Sequence, residues 1–214
     1  FITVFHMGVG SAALATAISQ FVSAGLCLIQ LLKTKDEYRV VLRKIRFDKE
    51  MIGQIIKIGL PSGIQNSIIA IANVVVQSSI NSFGEMAMAG CGAYSKIEGF
   101  AFLPITSFTM AITTFVGQNL GAKQYERVRK GAKFGILSAV LLAEAIGVLI
   151  FIFAPSLTAA FDRTPEVIMY GTDRARVEAF FFCLLAYSHA VSAVLRGAGK
   201  SMIPMFVMFA FWCV

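Results

Sequence analysis

Charge is scarce in this sequence: Asp, Glu, Lys and Arg make up 14% of its 214 residues, against a hydrophobic fraction of 57%. With a mean hydropathy of +0.75, too little polar surface remains to clothe a water-soluble globule of this length. Cysteine is equally sparse. Cys27, Cys91, Cys183 and Cys213 stand in or beside apolar runs with no CxxC spacing, which argues against a zinc site or a disulfide framework and leaves them as small packing residues. No Walker motif, HExxH or GxSxG is present. Gly8, Gly10 and Ala13 satisfy a GxGxxA string, but an uncharged apolar run follows and no second βαβ unit does, so a dinucleotide fold is excluded. Ser188 beside His189 is not a triad, because neighbours on one helix point in different directions. An intramembrane enzyme would need paired catalytic groups on adjacent helices, and only isolated candidates occur. The chain is therefore expected not to be an enzyme and to need no cofactor. No n-region, h-region and cleavage pattern introduces it either.

What the sequence does contain is an alternation of long apolar runs and short basic stretches. Crossing a hydrocarbon core of about 30 Å takes roughly 20 helical residues. Runs of that kind cover 12–32, 58–83, 87–120, 134–161 and 179–195. Pro61 falls in the first turn of the second run, where its missing N–H costs nothing, and Pro104 is expected to kink the third near Phe100. Fifteen of the nineteen Lys and Arg residues sit in 33–57, 123–133 and at Arg196 and Lys200, whereas the opposite connections hold only Arg163, Arg174 and Arg176. By the positive-inside bias the rich stretches face the cytoplasm. Basic residues placed beside apolar runs suit an anionic inner leaflet rather than nucleic acid, so the expected partner is the lipid bilayer. The fold class read from this pattern is all-α, a polytopic transmembrane helix bundle of five complete spans. Ser201–Val214 and Phe1–Met7 are apolar but too short to cross, which predicts two truncated spans and a piece of a larger protein. The basic stretch 33–57 also alternates Val40, Val41, Ile45, Phe47, Met51 and Ile52 with its charges. It is either an amphipathic surface segment or a solvated linker.

Polar residues inside the spans are the candidate site. At about 100° per residue, Ser62, Asn66, Asn73 and Gln77 fall on one stripe of their helix, with Asn81 adjoining. Amides in lipid are costly, so the stripe is expected to face the bundle or a watery cavity, either for interhelical hydrogen bonds or as a substrate-facing wall. Three titratable groups lie within spans: Glu98, Glu144 and His189. A charge at mid-bilayer costs at least about 2.5–3.5 kcal/mol on insertion scales, which makes each an ion-coupling candidate. For Glu98 the competing role is an ion pair with Lys96, although residues two apart on a helix meet poorly. For Glu144 it is a helix–helix hydrogen bond. For His189 it is a satisfied core position, set against the proton-carrying character of imidazole.

The stretches around these residues resemble the multidrug and toxic compound extrusion (MATE) family. The matching motifs are GSAALATAISQ (10–20), IGLPSGIQN (58–66), KIEGFAFLPI (96–105), TTFVGQNLGAKQYERVRKGAKFG (113–135) and AVLRGAGKSMIPM (193–205). The resemblance implies a twelve-helix protein of two six-helix lobes. Residues 1–32 would close the N-terminal lobe (the end of helix 5, and helix 6), 33–57 would be the cytoplasmic inter-lobe loop, and 58–214 would carry helices 7 to 10 and the start of helix 11. It implies a cation-coupled efflux antiporter working by alternating access on small amphipathic or cationic organic substrates, with H⁺ or Na⁺ as the coupling ion. A bacterial inner-membrane location and a full-length monomer go with it. In many relatives acidic residues of helices 7, 8 and 10 bind that ion. Glu98 matches the helix-8 carboxylate, but the helix-7 position is Ile69 and no acid stands near Tyr187–His189. One carboxylate is a poor cage for a hard cation. Other relatives use a helix-1 aspartate, a region absent from this chain. Asn66, Asn73, Gln77, Phe100, Phe102 and Phe108 are the residues expected to line the substrate cavity. Two alternatives are a lipid-linked oligosaccharide or polysaccharide flippase of the same superfamily, which should carry cationic residues in its cavity, and an inactive fragment of a transporter.

Overall fold

The computed structural model describes residues 10–35, 39–42 and 46–212, with side chains for 13–35, 39–42 and 46–210. The expectations for Phe1–Met7, Gly8, Arg43, Lys44, Ile45 and Cys213 fall outside the described residues. Among the described residues the regular elements are helices: α1 Gly10–Lys33, α2 Lys49–Asn81, α3 Glu85–Gly121, α4 Tyr125–Ala159, α5 Pro165–Ala179, α6 Phe182–Gly197 and α7 Met202–Trp212. Two compact units result, one up to Lys49 containing α1 and one from Glu50 onward containing the rest.

Among the described residues four helices, α1 to α4, are long and apolar enough to cross a membrane, and α5 with α6 passes the same test as one span bent by 54°. This corrects the fifth predicted span. It does not run straight through 179–195 but begins at Pro165, and Ala179 is the last residue of its first half. Sequence hydropathy misses the first half because Asp173, Arg174, Arg176 and Glu178 lie in it. Arg174 and Arg176, read as belonging to a connection, are therefore helical.

The basic stretches are also more helical than expected. α2 starts at Lys49, so Pro61 lies well inside that helix rather than in its first turn. Arg127, Arg129, Lys130 and Lys133 occupy the opening turns of α4. At 37 and 35 residues, α3 and α4 reach about 50 Å, well beyond the lipid core, so their ends stand among headgroups and water. Charged helix ends are the natural consequence. Pro104 does not divide α3, which is continuous past it. Thr106 and Ser107 instead donate their hydroxyls to the Leu103 carbonyl at 2.8 and 2.9 Å.

The packed core belongs to α3, α4, α5 and α6. On α3 the buried positions Gly90, Tyr94, Ile97, Ala101, Ile105, Thr109, Ile112 and Val116 recur every three or four residues. On α4 the repeat is Gly135, Ala139, Ala143, Gly147, Ile150, Ala154 and Thr158, and on α6 it is Phe182, Ala186, Ala190 and Ala193. Small residues dominate because lipid gives apolar side chains no reason to leave it. Close backbone approach and dispersion then hold the helices together. Gly90 and Gly171 show how close. A Cβ on Gly90 would meet the Val167 carbonyl oxygen at 2.6 Å, and one on Gly171 would meet the Gly90 carbonyl oxygen at 2.9 Å. Farther along, the Thr113 hydroxyl reaches the Ala193 carbonyl oxygen of α6 at 3.3 Å. Large apolar side chains point the other way, among them Phe134, Leu137, Leu141, Leu149 and Ile152 of α4. An interior of alanine and glycine with leucine and phenylalanine outside is the arrangement a bilayer favours.

Candidate functional site

A cavity of about 520 Å³ opens between α2, α3, α6 and α7, lined by Ile69, Asn73, Glu98, Phe102, Phe181, Leu184, Leu185, Ser188, His189 and Met208. Helical spacing assembles it. Ile69 and Asn73 are one turn apart on α2, as are Glu98 and Phe102 on α3. Phe181 at the start of α6, then Leu184 or Leu185 and Ser188 or His189 along it, follow at three- and four-residue intervals. Two titratable groups face the space, Glu98 and His189. The imidazole lies edge-on to the Phe102 ring, with centroids 5.1 Å apart and planes at 79°, a geometry that aromatic quadrupoles favour. The volume suits a small organic molecule.

Behind Glu98 stands a polar cluster that the sequence did not reveal. The Glu98 carboxylate is 3.7 Å from the Arg174 guanidinium, and Arg174 also donates its Nε–H to Glu178 Oε1 at 2.8 Å. A further Arg174 nitrogen reaches the Ser95 hydroxyl at 3.4 Å, and the guanidinium carbon lies 5.3 Å from the centre of the Tyr94 ring. Glu98 thus pairs with Arg174 on a different helix, not with Lys96, which is exposed. The α-helical geometry explains it: residues two apart diverge, while α3 and α5 pack face to face. Arg174 is 76 positions away in the chain, and no local pattern announces such a pair.

The other candidates are dispersed. Asn66 and Gln77 are exposed on α2, where Gln77 donates to Asn81 one turn on at 2.9 Å. Of the amide stripe only Asn73 reaches the cavity, while the buried amide of α2 is Gln65, on a neighbouring face. Phe100 is 73% exposed, and Phe108 packs on the Ile112, Val116, Ala139, Ala190 and Ala193 cluster. Glu144 lies apart from the cavity, in a small pocket with Gly147, Val148, Phe151, Ala179 and Phe180, and its buried Oε2 has no hydrogen-bond partner. Among the described residues no group of three or more His, Cys, Asp or Glu is placed to hold a metal ion.

Comparison with known proteins fits this architecture. The MatE family model matches residues 61–214. The chain is 29% identical over 206 residues to the probable multidrug resistance protein NorM of Thermotoga maritima, covering 95% of this chain and 44% of that protein. To the probable multidrug resistance protein YoeA of Bacillus subtilis it is 23% identical over 212 residues, covering 97% and 46%. In fold it is similar to a multidrug resistance MATE family transporter of the MOP superfamily solved in an outward-facing conformation, with a TM-score of 0.88 at 24% identity over 98% of this chain and 47% of that one. The chain spans about half the length of the curated relatives it matches. Motifs, helical membrane architecture and a family match across α2 to α7 converge, and the chain belongs to the MatE family of multi-pass membrane proteins.

Proposed function

We propose that this chain is part of a cation-coupled multidrug efflux antiporter for small amphipathic or cationic organic molecules. The observation that carries the reading is the cavity itself. It pairs one carboxylate, Glu98, with aromatic and aliphatic walls and a few polar groups, and no Lys or Arg lines it. Such a lining attracts organic cations and tolerates varied shapes, because its walls are apolar and its one strong polar anchor is anionic. The relatives' names as multidrug resistance proteins point the same way. A flippase or polysaccharide exporter of the same superfamily would need cationic groups to meet anionic lipid-linked cargo, and this lining offers none.

In this reading residues 1–32 finish the N-terminal lobe, 33–57 connect the lobes on the cytoplasmic face of the cell membrane, and 58–214 form most of the C-terminal lobe. Two lobes rocking about a central path give alternating access. Glu98 and His189 are the cavity's titratable groups, and a single carboxylate favours H⁺ over Na⁺ as the ion taken up in this lobe, since Na⁺ needs several oxygen ligands. Asn73 and Phe102 serve the substrate wall. Glu144 stands outside the cavity and, as an ion-coupling group, would act from a separate position. In the full-length protein, Glu98→Gln is expected to abolish ion-driven efflux of a fluorescent organic cation from membrane vesicles while leaving membrane insertion intact. Efflux at the unaltered rate removes Glu98 from the mechanism.

A further inference from the structure

The cluster behind Glu98 has the composition of a cation-binding box, and it already holds a cation. Its walls are the Tyr94 ring, the Glu98 and Glu178 carboxylates and the Ser95 hydroxyl, and its occupant is the Arg174 guanidinium. Guanidinium is planar, stacks on aromatic faces within about 6 Å and forks onto carboxylates, so each wall matches its chemistry. The box is not closed around its occupant. Tyr94 is fully buried, yet its hydroxyl beside Glu178 makes no hydrogen bond of good geometry. The two carboxylates are also held unequally, at 2.8 Å for Glu178 and 3.7 Å for Glu98. Glu178 is the i+4 neighbour of Arg174 on α5 and stays with it, whereas Glu98 belongs to α3 and has its other side on the cavity. Two carboxylates thus face a single guanidinium.

We propose that Arg174 is a built-in competing ligand: a cationic cargo in the cavity takes Glu98 over from the Arg174 guanidinium, which retreats onto Glu178. The inference rests on the cavity being a site for organic cations and adds what sets its affinity. An internal guanidinium bound to Glu98 weakens every external cation by the strength of that contact. It also makes guanidinium-bearing and planar cations the class best matched to the vacated half of the box. The released contact joins α3 to α5, close to the bend between α5 and α6, so cargo binding loosens one tie on the half-helix that carries the bend.

The experiment uses the full-length protein purified in detergent, with methylguanidinium as the probe. In Arg174→Ala the box is vacant, and methylguanidinium is expected to raise the unfolding midpoint in a saturable manner. It should do so much less in wild type, and not at all in the double variant Arg174→Ala, Glu98→Gln. No stabilisation of Arg174→Ala, or equal stabilisation of the single and double variants, overturns the proposal. Should Arg174→Ala not fold, Arg174→Lys carries the test. Its ammonium lacks the planar fork of the guanidinium and stacks less well on Tyr94, so a cationic dye should bind roughly two- to fivefold more tightly than to wild type, the range expected for weakening a partly exposed ion pair. Unchanged or weaker dye binding overturns it. Wild-type protein that fails to export organic cations at all defeats the efflux reading, while the methylguanidinium comparison still decides the role of Arg174.

Discussion

At the scale of single residues, the most exacting positions are the ones with the least side chain. Gly171 lies where a Cβ would press on Thr158 Cγ2 at 2.5 Å and on the Gly90 carbonyl oxygen at 2.9 Å. Neither neighbour can yield cheaply, since one is backbone and the other a fully buried side chain. Gly171→Ala in the full-length protein is therefore expected to cost about 1–3 kcal/mol, seen as a lower unfolding midpoint in detergent. An unchanged midpoint would mean that α3 and α5 stand farther apart than described. Glu98 teaches a related lesson. Its place as a candidate was legible as an acid inside an apolar run, but its partner was not, because Arg174 is distant in sequence and sits in a segment polar enough to pass for a connection. His189 and Asn73 were legible as residue types. That they meet Glu98 around one space, while Asn66, Gln77 and Phe100 do not, follows from which helix faces oppose one another.

At the scale of elements, helix length and helix breaks were the harder parts to read. Hydropathy locates the part of a helix that lies in lipid but not the turns that project from it, so the starts of α2 and α4 fell in stretches assigned to basic connections. The turns themselves obey local chemistry. After α3 the Gln124 N–H returns to the Asn119 carbonyl at 2.8 Å with Lys123 at a φ of 58°, and after α6 the Lys200 N–H returns to the Leu195 carbonyl at 2.9 Å with Gly199 at a φ of 74°. Both are left-handed C-terminal caps, and glycine is the residue that takes such a cap without strain. Between α4 and α5, the Thr164 N–H donates to Asp162 Oδ1 at 2.8 Å. That bond holds the exposed Asp162 carboxyl below its ordinary value of 3.8. A lowered folded-state value means the bond supports the turn fully above the ordinary aspartate range and is lost as the pH falls through the depressed value. The protection of the Thr164 amide against exchange, measured relative to its intrinsic rate, should fade over that acid window and become insensitive to pH in Asp162→Asn. A pH-insensitive wild type would contradict the assignment.

For the whole molecule, the sidedness of the connections is the decisive property. Four spans in succession, with α5 and α6 counted as one, place the start of α2 and the α3–α4 turn on one face and the α2–α3 and α4–α5 turns on the other. In a cysteine-free background, single cysteines at Lys49 and Arg127 should react with an impermeant thiol reagent from the cytoplasmic side, and those at Glu85 and Arg163 from the opposite side. Reaction of the Lys49 and Arg127 positions from opposite sides would break the topology. The four packed helices α3 to α6 bury a common seam, and α2 is not among the closely packed pairs.

The sequence by itself determined the solvent and the element type. Long uncharged runs can lie only in hydrocarbon, and a backbone in hydrocarbon must satisfy its own hydrogen bonds, which here means helices. Only the tertiary structure decided that Glu98 answers Arg174, that the last complete span is bent after Ala179, and that Asn73, Phe102 and His189 share one cavity. Those outcomes depend on the rotation and offset of helices far apart in the chain, set by close backbone contacts such as Gly90 against Gly171, and no local periodicity encodes them.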